Sequence, residues 1–252
     1  TISLSGDITT TGGLKSHITI TDGNGGAVTL NSPVLLLASV AIDASGGLNQ
    51  GAPVGGNIIF NSKVDSSNAT PRNLTLTTNA GGNIILGGNV GSDNALGNVL
   101  VTNANNVTAT AIRAASLVQV DGSGTTTLNG AFNTNAAAGV NIVNEAIAVN
   151  NSINTTNGGI VTLNADTLGL SIAAAGDITA TGAVNLTGAN GISTAGNVTT
   201  TGQVVNYNSA TTLTGGVLIN TTSDTPAGGT VTFANALNGS QTLGVTAGTS
   251  GD

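Results

Sequence analysis

The sequence predicts an all-β chain wound as a parallel β-solenoid with little or no helix, and three observations carry that prediction. The first is a phrase that returns: Gly6-Asp7-Ile8-Thr9-Thr10-Thr11-Gly12, Gly176-Asp177-Ile178-Thr179-Ala180-Thr181-Gly182 and Gly196-Asn197-Val198-Thr199-Thr200-Thr201-Gly202. Its last two copies lie about 20 residues apart, the length of a solenoid coil, a unit that cannot bury its apolar side alone and must stack on neighbours. The second is composition. Of the 252 residues 39% are hydrophobic but only 2% aromatic, with 38 Gly, which suits Val- and Ile-rich strands separated by tight turns. The third is the absence of any sustained helical periodicity between short apolar runs.

Taken in chain order, Thr1-Ile2-Ser3-Leu4 already begins inside a strand pattern. Further strands are expected at Ala27-Val28-Thr29-Leu30, Val34-Leu35-Leu36-Leu37-Ala38, Asn57-Ile58-Ile59-Phe60, Asn83-Ile84-Ile85-Leu86, Val161-Thr162-Leu163 and Val231-Thr232-Phe233, each bounded by Gly, Asn or Asp. Several runs end in Asn, as at Asn31, Asn61, Asn129 and Asn164. Asn tolerates left-handed backbone and bonds its own turn, so the same corner in successive coils should align these amides into a ladder. The runs Ala136-Ala137-Ala138 and Ala173-Ala174-Ala175 are flanked by Gly or Asn and do not read as helices. The whole of 1–252 reads as one continuous solenoid segment. At about 20 residues per coil it would make roughly 12 coils and a rod near 60 Å long. Ile8, Ile178 and Val198 should point inward at the same place in their coils.

A longer repeat is superimposed. Gly55-Gly56-Asn57-Ile58-Ile59-Phe60 through Leu74-Thr75-Leu76-Thr77 resembles Gly228-Gly229-Thr230-Val231-Thr232-Phe233 through Leu243-Gly244-Val245-Thr246. Leu86-Gly87-Gly88-Asn89-Val90, with Leu96 and Leu100, resembles Leu4-Ser5-Gly6-Asp7-Ile8, with Leu14 and Ile18. Writing residue 1 after Asp252 therefore recreates, to within a residue, the order from 55 to about 102. A second copy, joined covalently or by subunit contact, is the expected neighbour. The expected contact residues are Thr1, Ile2, Ser3 and Leu4 against Gly248, Thr249, Ser250, Gly251 and Asp252.

Charge narrows the function classes. The net charge is −7, with only 4 Lys plus Arg, which argues against nucleic acid and against a polybasic membrane anchor. No apolar run approaches the roughly 18 residues of a membrane-spanning helix. The chain contains no Cys, which removes disulfides and thiolate metal sites and is compatible with export. It contains no Met and no visible secretory signal, so it reads as a mature or excised piece of something longer.

Candidate chemistry is sparse. Asp22-Gly23-Asn24-Gly25-Gly26 and Asp121-Gly122-Ser123-Gly124 could offer oxygen ligands to calcium, but neither matches a calcium-binding nonapeptide, and plain turns account for them. No other cofactor or metal is implied. Glycoside cleavage needs two carboxyls flanking one bond, whereas the chain has a single Glu, Glu145, with Asp166 near Asn164 as the best remnant. His17 is the only histidine, and its neighbours Lys15 and Ser16 form no arranged triad. In the repeated phrase Asp7 and Asp177 exchange with Asn89 and Asn197, which suits a corner hydrogen bond better than a catalytic charge. No catalytic, cofactor-binding or metal-binding residue is assigned. Thr-x-Thr triplets such as Thr75-Leu76-Thr77 are too irregular for an ice-facing row and reflect Thr enrichment in strands.

The phrase Gly-Asp/Asn-Ile/Val-Thr-x-Thr-Gly and the run from Gly55 to Val64 resemble the repeat regions of filamentous-haemagglutinin-like exoproteins and related giant bacterial β-strand-repeat proteins. The resemblance implies a right-handed β-helix shaft at the bacterial cell surface, serving adhesion or surface architecture. The function expected is a structural or adhesive shaft, non-enzymatic, extending by coil stacking and head-to-tail continuation, with itself and surface glycans as partners. The contrasting expectation is a polysaccharide-binding or polysaccharide-cleaving β-helix protein.

Overall fold

A computed structural model describes residues 1–10, 12–13, 22–23, 25–46, 54–79 and 81–250. Among the described residues every regular element is a strand. The chain runs round three faces in turn. Starting at Val28, the first face receives Val28–Leu30, the second Val34–Leu36 and the third Val40–Asp43. Each later coil continues every face in parallel with the coil before it, although one coil gives the second face only the Val90 bridge and in the next a single strand, Ile112–Gln119, crosses the second and third faces. Ile2–Leu4 belongs to the second face and Ile8–Thr9 to the third, because they pair with Val34–Leu36 and with Ile42–Asp43. The fold is the parallel β-solenoid that the sequence predicts.

The first face displays the register most plainly. Val28, Ile58, Ile84, Val107, Thr126, Ile147, Leu170, Ile192, Thr211 and Leu237 follow one another up a single column. Their spacing corrects the expected coil length. Coils average about 23 residues, and this column holds ten strands, so it is about 45 Å tall at the usual strand spacing. The 20-residue step is real between Ile178 and Val198, which pair directly. Ile112 and Phe132 repeat that step, and in other coils longer corner loops stretch it, as between Val28 and Ile58.

Inward positions follow the period-2 rule of strands. On the third face Ile42, Leu76, Val101, Ile142, Leu163, Leu186 and Tyr207 are all fully buried. Each apolar side chain removed from water this way contributes about 1.5–3 kcal/mol. The three Phe and the single Tyr serve the same interior: Phe60 and Phe132 are buried, and Tyr207 and Phe233 stack at 4.6 Å. Tyr207 carries an internal conflict, because its hydroxyl is buried without a hydrogen-bond partner. Burial pushes that phenol well above its ordinary value, so it stays neutral. Tyr207→Phe removes an unsatisfied group at almost constant shape and should raise stability by about 1 kcal/mol. The urea midpoint reads this out, and a fall of similar size would mean that the hydroxyl is satisfied in solution.

The expected amide ladders are present at the corners. Asn61 Nδ2 donates to Asn31 Oδ1 at 2.7 Å, and Asn150 Nδ2 to Asn129 Oδ1 at 2.9 Å. Asn57, Asn83 and Asn106 form a longer one. Each Oδ1 of the first two accepts from both the backbone N–H and the side-chain amide of the next, at 2.8–3.2 Å. The Asp and Asn of the repeated phrase do related work. Asp177 Oδ1 accepts from Asn197 N, Asn197 Oδ1 from Leu218 N, and Asp7 Oδ1 from Ala41 N.

The three copies of the phrase do not share a face. Ile178 and Val198 are buried on the second face, whereas Ile8, half-buried against the core, sits on the third beside Ile42. Inward orientation holds and positional equivalence fails. The longer repeat is displaced in the same manner: Ile58–Phe60 lies on the first face and Val231–Phe233 on the third, while Leu86 lies on the first and Leu4 on the second. The physical reason is that all three faces pose one local requirement, a corner followed by alternating inward β-branched residues. A phrase meeting it fits any of them.

Candidate functional site: the strand edges of the last coil

The last coil is assembled from Val231–Phe233 on the third face, Leu237–Asn238 on the first and Leu243–Thr246 on the second. Each pairs, among the described residues, with the previous coil only: with Val205–Tyr207, with Thr211–Thr212 and with Val217–Asn220. The apolar side chains here are incompletely covered. Leu237 is 39% and Val245 48% exposed, and Val231, Phe233 and Leu243 are only partly buried. Residues 234–242 are exposed throughout. A parallel edge of this kind presents a row of unpaired N–H and C=O groups beside apolar side chains, a template for a further strand.

The opposite end is built from Ile2–Leu4 and Ile8–Thr9. Ile2 N donates to Pro33 O and Leu37 N to Leu4 O, both at 2.8 Å, which fixes the strand on the coil above it. Ile2, Leu4 and Ile8 pack on the core yet remain partly open. Gly12–Gly13 and Asp22–Gly23 then form a short antiparallel pair.

The predicted contact residues are placed unequally. Thr1 is exposed and Ile2, Ser3 and Leu4 form the edge strand. Gly248 adopts φ +76° and packs against the Pro226-Ala227 corner, and Ser250 N donates to Ala227 O at 2.9 Å. Gly248 and Ser250, with exposed Thr249 between them, therefore lie along their own loop, and the free edges come earlier, at 231–246. Gly251 and Asp252 fall outside the described residues. Of the strands of the last coil, Val231-Thr232-Phe233 was already legible in the sequence.

Two grooves mark the sides of the rod. One, of about 490 Å³, runs along the second face and is lined by Asp93, Arg113, Asn133, Asn135, Asn154 and Thr156 among others. Arg113 Nε donates to Gly91 O and Nη2 to Asp93 O, both at 2.8 Å. Asn154 Nδ2 donates to Asn133 Oδ1 at 3.1 Å. Lys63 bonds the Asp93 carboxylate and lies 3.6 Å from buried Asp65, and its bond to Asp93 holds the ammonium above its ordinary value. A smaller groove of about 330 Å³ lies on the first face beside Ser171, Ser193 and Thr212. Neither is lined by an aromatic ring.

The remaining candidates do not converge on these grooves. Glu145 and Asp166 occupy the same corner in adjacent coils, one position beyond the paired Asn144 and Ala165, but neither lines a groove. Asp166 Oδ1 accepts from the neighbouring Thr167 hydroxyl at 3.2 Å. Asp121 bonds its own turn, Oδ1 accepting from Gly122 N at 2.8 Å. His17 and Asn24 lie outside the described residues. Among the described residues no group of three His, Cys, Asp or Glu comes together to hold a metal ion. Comparison of the chain with protein-family models, with curated proteins and with solved structures finds no match.

Proposed function

We propose that this chain is a structural segment of an extracellular bacterial filament, sheath or adhesin shaft, elongated by stacking one copy on the next. The observation that carries this reading is the last coil, whose three parallel strand edges and half-exposed Leu237 and Val245 stand ready for another coil. The resemblance of the repeated phrase to filamentous-haemagglutinin-like exoproteins supports the same assignment, as do the low charge and the absence of Cys. The mechanism is mechanical. Each added coil continues the hydrogen-bonded ladders and buries a further ring of Val, Ile and Leu, so the rod gains length without changing its cross-section. Surface glycans are the natural contacts along the sides, where Asn and Thr rows present amides and hydroxyls.

The test is to place charges on the opposite edge. Ile2→Asp with Leu4→Asp would bury two carboxylates beside the apolar side chains of the neighbouring copy, which costs several kcal/mol per copy added. Electron microscopy and sedimentation should find filaments of the parent chain and short or single rods of the variant. Its far-ultraviolet dichroism should remain that of a folded rod. A parent chain that stays monomeric at high concentration overturns the reading.

A further inference from the structure

We infer that the second copy seats on the last coil turned by one face, about a third of a revolution, so that the three sheets change faces at every junction. The inference rests on the stacking reading above and specifies its geometry. Two independent lines lead to it.

The first is the pitch of the chain. A coil climbs one strand spacing, about 4.8 Å, over three strands, so each strand sits a third of a spacing above the one before it. The last coil rises from Val231–Phe233 on the third face, through Leu237–Asn238 on the first, to Leu243–Thr246 on the second. The strands offered by a second copy come in the order second face (Ile2–Leu4), third (Ile8–Thr9) and first (Val28–Leu30). With like faces aligned, Ile2–Leu4 meets Leu243–Thr246 at one spacing. Ile8–Thr9 then stands two spacings above Val231–Phe233, and Val28–Leu30 two above Leu237–Asn238, leaving both pairs of edges unbonded. Turned by one face, Ile2–Leu4 lies on Val231–Phe233, Ile8–Thr9 on Leu237–Asn238 and Val28–Leu30 on Leu243–Thr246. All three junctions are then one spacing apart. The opposite turn closes only two of them.

The second line is the internal repeat. Residues 228–246 repeat the pattern of residues 55–77, including Phe233 for Phe60 and Leu243 for Leu74. Gly248 carries the positive φ found at Asn79, +76° against +60°. Within the chain, the strand that follows the 55–77 pattern is Ile84–Leu86, which seats on Ile58–Phe60 with Ile84 on Ile58 and Leu86 on Phe60, and Val90 then bridges to Val64. The strand that resembles Ile84–Leu86 is Ile2–Leu4, with Ile8 in the place of Val90. Transposed to the junction, the same register sets Ile2 on Val231, Leu4 on Phe233 and Ile8 on Leu237. That is the turned arrangement again, reached without reference to pitch. The face displacement of the repeat inside the chain is what the turned junction requires.

Cysteine pairs distinguish the arrangements cleanly, because the chain has no Cys of its own. Adjacent parallel strands hold their Cα atoms at about 4.8 Å, inside the window for a disulfide. Ser3 and Thr232 are exposed and meet only in the turned junction. Ser3 and Thr246, also exposed, share the outward column of the second face and meet only when like faces align. Oxidation of the Ser3→Cys/Thr232→Cys chain should give a ladder of covalent dimers, trimers and longer species on a non-reducing gel. The Ser3→Cys/Thr246→Cys chain should stay uncrosslinked. Thr9→Cys with Asn238→Cys reports the same junction one face further on and covers the first pair should it misfold. A ladder from the Thr246 pair alone overturns the turned junction but leaves head-to-tail stacking standing. No ladder from any pair, with a monomeric parent chain, overturns both.

Discussion

Leu163→Asp should abolish the cooperative fold of the middle of the rod. Leu163 is fully buried on the third face, between Ile142 in the coil before and Leu186 in the coil after. An aspartate there loses the transfer energy of the leucine and buries a carboxylate with no cation to meet it, since the described cations Lys63, Arg72 and Arg113 all lie in earlier coils. The combined cost is about 5 kcal/mol or more, comparable with the whole stability of an ordinary domain. A solenoid bonds each coil only to its neighbours, so the damage should divide the rod. Hydrogen exchange should report lost protection first between Val140 and Gly188, with the coils on either side more persistent. Unfolding in one step at the parent midpoint would contradict this account.

Gly139→Ala is expected to be damaging as well, by less and for a different reason. Gly139 is buried at φ +56°, and a Cβ there would fall 2.0 Å from the carbonyl oxygen of Ile160 in the next coil. Its own carbonyl accepts from Leu117 N at 3.0 Å, so the peptide is held from the other side as well. Left-handed backbone costs an alanine about 1–2 kcal/mol, and displacing the adjacent backbone adds about as much again. Gly158→Ala supplies the comparison. Gly158 has φ +76° but open space around its Cβ position, so only the backbone term of about 1 kcal/mol applies. Urea midpoints of the two variants should therefore differ clearly, and equal losses would show that close coil contact at Gly139 is not the cause.

Much of this was present in the amino-acid sequence, because it depends on local physics. Strand against corner is decided by short-range alternation and by residues that turn, so Val28–Leu30, Ile58–Phe60, Ile84–Leu86, Val161–Ala165 and Val231–Phe233 emerge where alternation predicts them. The corner amides were legible for the same reason. An Asn or Asp that flanks a strand can bond across to the next coil wherever coils are in register, as Asn31 does with Asn61 after a strand and Asp177 with Asn197 before one. The burial of Phe60, Phe132 and Tyr207, and the partial burial of Phe233 in the last coil, follow from their inward parity.

What the sequence left open is which face a strand joins and how many residues a coil takes. Ile8 and Ile178 stand in the same phrase, yet one pairs with Ile42 on the third face and the other with Val198 on the second. Each face asks for the same thing of a strand, so nothing local distinguishes them. The choice is made by the number of strands already laid down and by the lengths of the corners between them, such as the one residue between Asn144 and Ala146 and the ten between Asn220 and Val231. Those corners also set the coil spacing of about 23 residues in place of the 20 suggested by the repeat. The sequence by itself determined the strands, their inward residues and their turns. The faces, the register and the three free edges of the last coil were decided only when the coils stacked, because hydrogen bonding between distant strands sums over the whole path of the chain.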